Sequence, residues 1–127
     1  MPIDASPPSS LVDVAPLAEA LEQFAEARNW AQFHSPKNLA MALAGETGEL
    51  LEIFQWMTEE QSITAAQRPE TAQAVRDELA DVMMYLVRLA NVLGVDLDEA
   101  VQHKLRLNEQ KYPVDKARNT SKKYDQL

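Results

Sequence analysis

The strongest constraint on this chain is a pair of apolar helical stretches that carry acids where a core should be. "ALAGETGELLEIFQWM", residues 42–57, reads as a helix with a hydrophobic face, yet Glu46, Glu49 and Glu52 recur within it three residues apart. A later stretch, "RDELADVMMYLVRLANVL", repeats the pattern with Glu78 and Asp81. Successive side chains step by about 100° around a helix, so Leu39, Leu43, Leu50, Ile53 and Met57 form one stripe. Glu46 falls in the middle of that stripe, Glu49 on its shoulder, and Glu52 toward solvent. In the later stretch Val75, Leu79, Val82, Leu86 and Leu93 are expected to form the stripe, with Glu78 and Tyr85 on one shoulder and Asp81 slightly further round.

These patterns set the fold class. There are only three glycines, there is no β-like alternation, and strong helix formers dominate the middle of the chain. An all-α bundle of four main helices is predicted. The first covers about 16–32, with Leu17, Leu21, Phe24 and Ala25 on one face. Ser35 followed by Pro36 is a start signal for the second, because a hydroxyl caps free amides and proline suits the first helical position. That helix runs to about 57, and the polar connection after it is expected to hold a short turn of helix. The third spans about 70–93 and stops at Gly94, a residue suited to left-handed termination. Asp96 then caps a fourth helix, with Glu99 at the capping-box position, ending near 110. Residues 1–12, rich in Pro and Ser, read as a disordered lead. Residues 13–112 read as the helical domain and 113–127 as a basic tail, mostly extended or loop.

Composition narrows the function classes. Twenty acidic against 12 basic residues give a formal charge of −8, which argues against a nucleic-acid polymer or an anionic membrane as partner. A small anionic substrate stays compatible, because a bound divalent cation inverts the local field. There is no cysteine, so disulfides and thiolate metal sites are excluded. No apolar run approaches the ~18 residues of a membrane span, and the N-terminus lacks a signal-peptide pattern. The expectation is a cytoplasmic protein.

Desolvating an unpaired carboxylate is costly, and four of them converging would repel one another. Hard anionic oxygens suit Mg²⁺, with Mn²⁺ as a substitute. Glu46, Glu49, Glu78 and Asp81 therefore read as an acidic jaw for one or more divalent cations. Other readings stay open: an E-x-x-E pair on a solvated face, salt bridges of Glu78 and Asp81 to Arg76 or Arg88, or an acidic helical module that pairs with bases across a subunit interface. A di-iron bundle is disfavoured, since neither His34 nor His103 completes a Glu-x-x-His element. On the fourth helix Leu97, Val101, Lys104 and Asn108 share a stripe. Lys104 there either contacts phosphate as a point charge, pairs with a jaw acid, or snorkels outward. Trp30 and Trp56 are core residues or stacking platforms for a base. His34, just ahead of a helix start, suits a local hydrogen-bonding role. Arg118, Lys122 and Lys123 are either phosphate contacts or a solvated end.

"GETGELLEIFQW" followed by "DELADVMMYLVRLA" resembles the E-x-x-E…E-x-x-D signature of the MazG-type all-α NTP pyrophosphatases. "FAEARNWAQFHSPKNLAMALAGETGELLEIFQW" and "KYPVDKARNTSKKY" extend the resemblance over about residues 20–125, toward the dCTP pyrophosphatase-like branch. The resemblance implies hydrolysis between the α and β phosphates, giving monophosphate and pyrophosphate with Mg²⁺, and assembly as a homodimer or a tetramer of two dimers. It matches Glu46, Glu49, Glu78 and Asp81 to metal ligands and Trp30 and Trp56 to the base and sugar pocket. Tyr85, Lys104, Asn108 and Tyr112 match positions near phosphates and nucleoside, and His34 lies in a matching motif. Two positions depart: Gly45 stands where many members carry an acid, and Leu21 where a pocket histidine is expected in the animal enzymes. Base preference therefore stays open between dCTP, modified dCTP, dUTP and a broader set. The glutamate that orients or deprotonates the attacking water is expected to be Glu49, with Glu46 the other catalytic acid.

Overall fold

The computed structural model describes residues 9–127; the reading of a disordered lead therefore falls largely outside the described residues. All regular structure among them is helical. The chain divides into two compact units, Val14–Val95 and a smaller one that joins the segment ending at Asp13 to Asp96–Leu127.

In the larger unit, α1 (Ala15–Ala27) ends five residues before the expected boundary near Gln32. The cause is local. Asn29 takes a left-handed φ of 53°, its amide donates to the Glu26 carbonyl at 3.1 Å, and the Trp30 amide reaches back to Ala25 at 2.9 Å. This reciprocal closure satisfies carbonyls that a helix end leaves bare. Asparagine tolerates the left-handed region better than most residues, which makes it a stop signal. A 3₁₀ turn, Ala31–Phe33, follows.

α2 (Pro36–Phe54) begins where the sequence indicates: Ser35 Oγ accepts the Asn38 amide at 3.2 Å, and Pro36 occupies the first position. Its expected stripe is the inward one, with Leu39 buried and Leu43, Glu46, Leu50, Ile53 and Met57 all half-buried, while Glu52 is exposed. The polar connection holds α3 (Glu59–Ser62), started by a full capping box between Thr58 and Gln61. α4 (Ala72–Leu93) closes on Gly94 at φ 69°, with the Val95 amide returning to Ala90.

α2 packs most extensively along α4, and α1 also packs on α4. The face of α4 that turns inward differs from the expected stripe. Val75, Val87, Arg88 and Ala90 are buried and Glu78, Asp81, Val82, Tyr85 and Leu89 half-buried, whereas Leu79, Leu86 and Leu93 are exposed. Counting leucines drew the stripe toward the wrong side. The helix is rolled so that its acids and Tyr85 point inward and a row of leucines, spaced seven apart, points out.

In the smaller unit, α5 (Leu97–Lys111) is capped by Asp96, whose carboxylate accepts the Glu99 amide at 3.1 Å. α6 (Val114–Ala117) and a 3₁₀ turn, Tyr124–Gln126, interrupt a tail expected to be mostly extended or loop. The segment before α1 is tied to this unit by Asp98, whose Oδ1 accepts the amides of Leu11 at 2.7 Å and Val12 at 3.0 Å.

Candidate active site

The α2–α4 packing brings the acids of both helices together. One carboxylate oxygen from each of Glu46, Glu49 and Glu78 lies within 4.8 Å of the others. Glu46 and Glu78 are half-buried and Glu49 is exposed. Each of the two half-buried acids has one oxygen, Oε2, that is buried and meets no hydrogen-bond partner. Buried polar atoms in folded proteins are nearly always satisfied, so these two anionic oxygens fit a positively charged ligand. Asp81 stands outside this tight triplet but close enough that its charge acts on both Glu46 and Glu78.

The electrostatics follow from crowding. Glu46 is raised to about 7, first by sharing a proton with Glu49, then by burial, by Glu78 and by the nearby negative charges. Glu78 is also raised, chiefly by burial, while its hydrogen bond with Glu46 works the other way. Crowding and partial burial together favour a shared proton in this cluster over leaving every acid charged. A set of oxygens only, anionic and partly desolvated, fits a hard divalent cation and would be poor for a soft one. The salt-bridge reading finds neither partner: Arg88 is engaged by Glu22 and His34, and Arg76 donates to the Ala72 carbonyl at 3.0 Å.

Next to the acids opens a cavity of about 240 Å³. Its walls are mostly apolar and aromatic: Leu21, Phe24, Trp30, Met84 and Tyr85. Its polar groups are Asp81, His34 and Arg88. Trp30 packs edge-on against Phe24 at 5.7 Å and against His34 at 6.4 Å between ring centroids. On α4 the residues Glu78, Asp81, Tyr85 and Arg88 follow at three- and four-residue steps, which keeps them on one side of the helix over about 15 Å. Asp81 belongs to both ends of this strip, facing the cavity and acting on the acid cluster.

The expected site residues thus divide. Glu46, Glu49 and Glu78 come together with Asp81 beside them, and Trp30, His34 and Tyr85 line the cavity with Asp81. Trp56, just past the end of α2, is 89% exposed and lines no part of this cavity. Lys104, Asn108 and Tyr112 belong to the smaller unit, where Lys104 is exposed, Asn108 half-buried, and Tyr112 packs edge-on against Tyr124 at 6.2 Å. Two polar participants were not anticipated as such. Arg88 is only 5% exposed, and its guanidinium donates to the Glu22 carboxylate and, through Nε, to His34 Nδ1 at 3.1 Å. The signal for Arg88 was present, since it stands three residues after Tyr85 on the same helical side; Glu22 offered none beyond its neighbour Leu21.

Fold and site together define a class: helical proteins whose paired acids, two from each of two packed helices, adjoin an aromatic-walled pocket. Residues 42–127 match the MazG-like family, and the chain belongs to that family. It is 43% identical to dCTP pyrophosphatase 1 of Rattus norvegicus over 99% of this chain and 72% of that protein. It is likewise 43% identical to dCTP pyrophosphatase 1 of Homo sapiens, over 96% and 70% of the respective chains. Among solved structures it resembles a pyrophosphatase from Archaeoglobus fulgidus DSM 4304, with a TM-score of 0.73 and 36% identity, covering 85% of this chain and 99% of that one.

Proposed function

We propose that this chain is a Mg²⁺-dependent nucleoside triphosphate pyrophosphohydrolase that cleaves between the α and β phosphates, with dCTP or a modified dCTP as substrate and clearance of the nucleotide pool as its role. The enzyme class, nucleotide pyrophosphohydrolase, rests on the dCTP pyrophosphatase relatives. The observation that carries the site assignment is the facing set Glu46, Glu49 and Glu78 with its two unsatisfied buried oxygens.

In this reading Glu46, Glu49, Glu78 and Asp81 would hold the cation. When bound, it supplies charge neutralisation for the phosphates and for the acids themselves. Glu49 is the exposed member of the triplet, which suits it to orient or deprotonate an entering water, with Glu46 beside it to take part in the proton's transfer. Trp30 and Tyr85 supply faces on which a base can stack. Trp56, Lys104, Asn108 and Tyr112 are assigned to substrate on family resemblance alone. Leu21 in the cavity wall, where the animal enzymes are expected to place a histidine, favours a second reading of base choice, toward dUTP or a broader set of triphosphates.

A homo-oligomer is part of the proposal. Among the described residues the fully buried side chains include only two large ones, Leu39 and Val87, while Leu51, Trp56, Ile63 and the row Leu79, Leu86, Leu93 are exposed. That much exposed apolar surface on a small core suits association with further copies. A cytoplasmic setting is proposed as well; no helix among the described residues is long and apolar enough to cross a membrane.

The deciding experiment is pyrophosphate release from a panel of canonical and modified triphosphates, with and without Mg²⁺. Metal-dependent release with a preference for cytidine nucleotides is expected. Activity unchanged in Glu49→Ala and Asp81→Ala rejects the site assignment.

A further inference from the structure

Arg88 is the one buried charged residue of the described core, and the proposed chemistry makes no use of it. Burying a guanidinium requires compensation. Here Nη1 donates to Glu22, which also accepts from Asn91 Nδ2 at 3.3 Å, and Nε donates to His34 Nδ1 at 3.1 Å. Three elements are involved: Glu22 from α1, His34 from the turn before α2, and Arg88 from α4.

The bond to His34 has a definite chemical meaning. Arginine is a donor only and keeps its charge, so the imidazole nitrogen facing it must be the unprotonated one. His34 is therefore a neutral ring whose proton sits on Nε2. Burial, and after it the adjacent Arg88 charge, disfavours the doubly protonated ring, against a smaller opposing pull from Glu22. Nε2 finds no hydrogen-bond partner among the described residues, although His34 lines the cavity. The other feature is charge balance. Arg88 and Glu22 cancel and His34 is neutral, so this end of the cavity presents aromatic walls and a donor rather than a cation.

We infer that the Glu22–Arg88 pair is a positioning device that holds His34 with Nε2–H as a donor to the nucleobase, at the end of the cavity remote from the acids, and that Arg88 itself does not bind phosphate. The ligand group recognised is an acceptor on a neutral planar ring, a carbonyl or a pyridine-type nitrogen. A cationic arginine in a triphosphate site would ordinarily be assigned to the phosphates; here two of its donor groups are already committed. The inference rests on the cavity being a nucleotide site.

The test uses Arg88→Met and the double variant Glu22→Leu/Arg88→Met, which removes the pair without stranding a charge. In the wild-type protein, ¹⁵N NMR is expected to show a nitrogen–nitrogen coupling across the Arg88 Nε–His34 Nδ1 hydrogen bond, with His103→Gln used to assign the other imidazole. Both variants should raise KM for the preferred triphosphate about tenfold or more, as loss of a partner that orients a histidine commonly does, with kcat within about twofold. Inhibition by inorganic triphosphate, a probe of the phosphate end alone, should not change. The double variant should recover thermal stability while its KM stays raised. The inference is overturned by an absent coupling, by inorganic triphosphate binding that weakens in step with KM, or by a KM that recovers along with stability. If no triphosphate is hydrolysed by the wild type, the functional reading fails and the coupling alone decides the positioning claim.

Discussion

Glu46 of α2 and Glu78 of α4 approach each other across the helix packing, and each leaves one oxygen buried without a partner. Two acids so placed cost stability unless something neutralises them. Removing one charge should therefore help the fold and harm the chemistry. Glu46→Gln and Glu78→Gln are expected to raise Tm in the absence of metal, to abolish stabilisation by Mg²⁺, and to lower pyrophosphate release by about 100-fold or more. Thermal scans with and without Mg²⁺, read beside activity, check this; a lower metal-free Tm in both variants contradicts it.

The same cluster fixes the sign of a pH effect. Glu46 holds its proton up to about 7 in the folded protein, against an ordinary value of 4.5. Between those values the folded state binds more protons than the unfolded chain, so stability falls as pH rises through that window. Glu78, raised as well, acts in the same direction. Protons and cation compete for these oxygens. Mg²⁺ should accordingly lift Tm more at about pH 8 than at about pH 5.5. Equal lifts at both would show that the acids do not hold the ion.

Asn29 ends α1 with a left-handed backbone. Asn29→Gly should be close to neutral, because glycine accepts that conformation without strain. Asn29→Val should cost roughly 1–2 kcal/mol, since a β-branched side chain is strained there. A Tm lowered by several degrees in the valine variant alone is the expected result. Trp30 follows directly, so its fluorescence should report the local disturbance.

Asp98 is held below the usual carboxylate range by the amides of Val12 and Leu11, with Gln102 adding a third bond. A depressed value stabilises above the unfolded group's ordinary value and fades as pH falls through the folded one. Protection of the Leu11 and Val12 amides from hydrogen exchange should thus be complete at neutral pH and decline below about pH 4. Asp98→Ala should lower it about tenfold at neutral pH, and the gap to wild type should close below about pH 4. Unchanged protection would mean that the carboxylate is incidental to that segment.

The four main helices, their caps and the α2 stripe were legible in the sequence because each rests on local chemistry: Ser35 with Pro36, Gly94, Asp96, and a clear apolar period. The end of α1 was missed because Asn29 acts as a stop only through its backbone conformation, which composition does not announce. The roll of α4 was missed for a different reason. Three leucines at seven-residue spacing, Leu79, Leu86 and Leu93, lie on the face that turned out exposed, and hydrophobicity alone cannot tell a core from an outward apolar surface. The acids of both helices were legible because charge inside an apolar period is anomalous. The pairing of Arg88 with Glu22 was not, since it joins positions distant in sequence and Glu22 is of a type ordinary on any helix.

The two-sidedness of α4 has an evolutionary corollary. Acids, Tyr85 and Arg88 occupy one side and an exposed leucine row the other, so angular phase is what separates the polar, inward side from the apolar, outward one. A single-residue insertion or deletion between Glu78 and Arg88 would turn everything downstream by about 100°, swinging leucines into the cavity and Arg88 into water. Lineages of this enzyme should accordingly drift freely in loop length, yet keep the tally of residues between those two positions fixed.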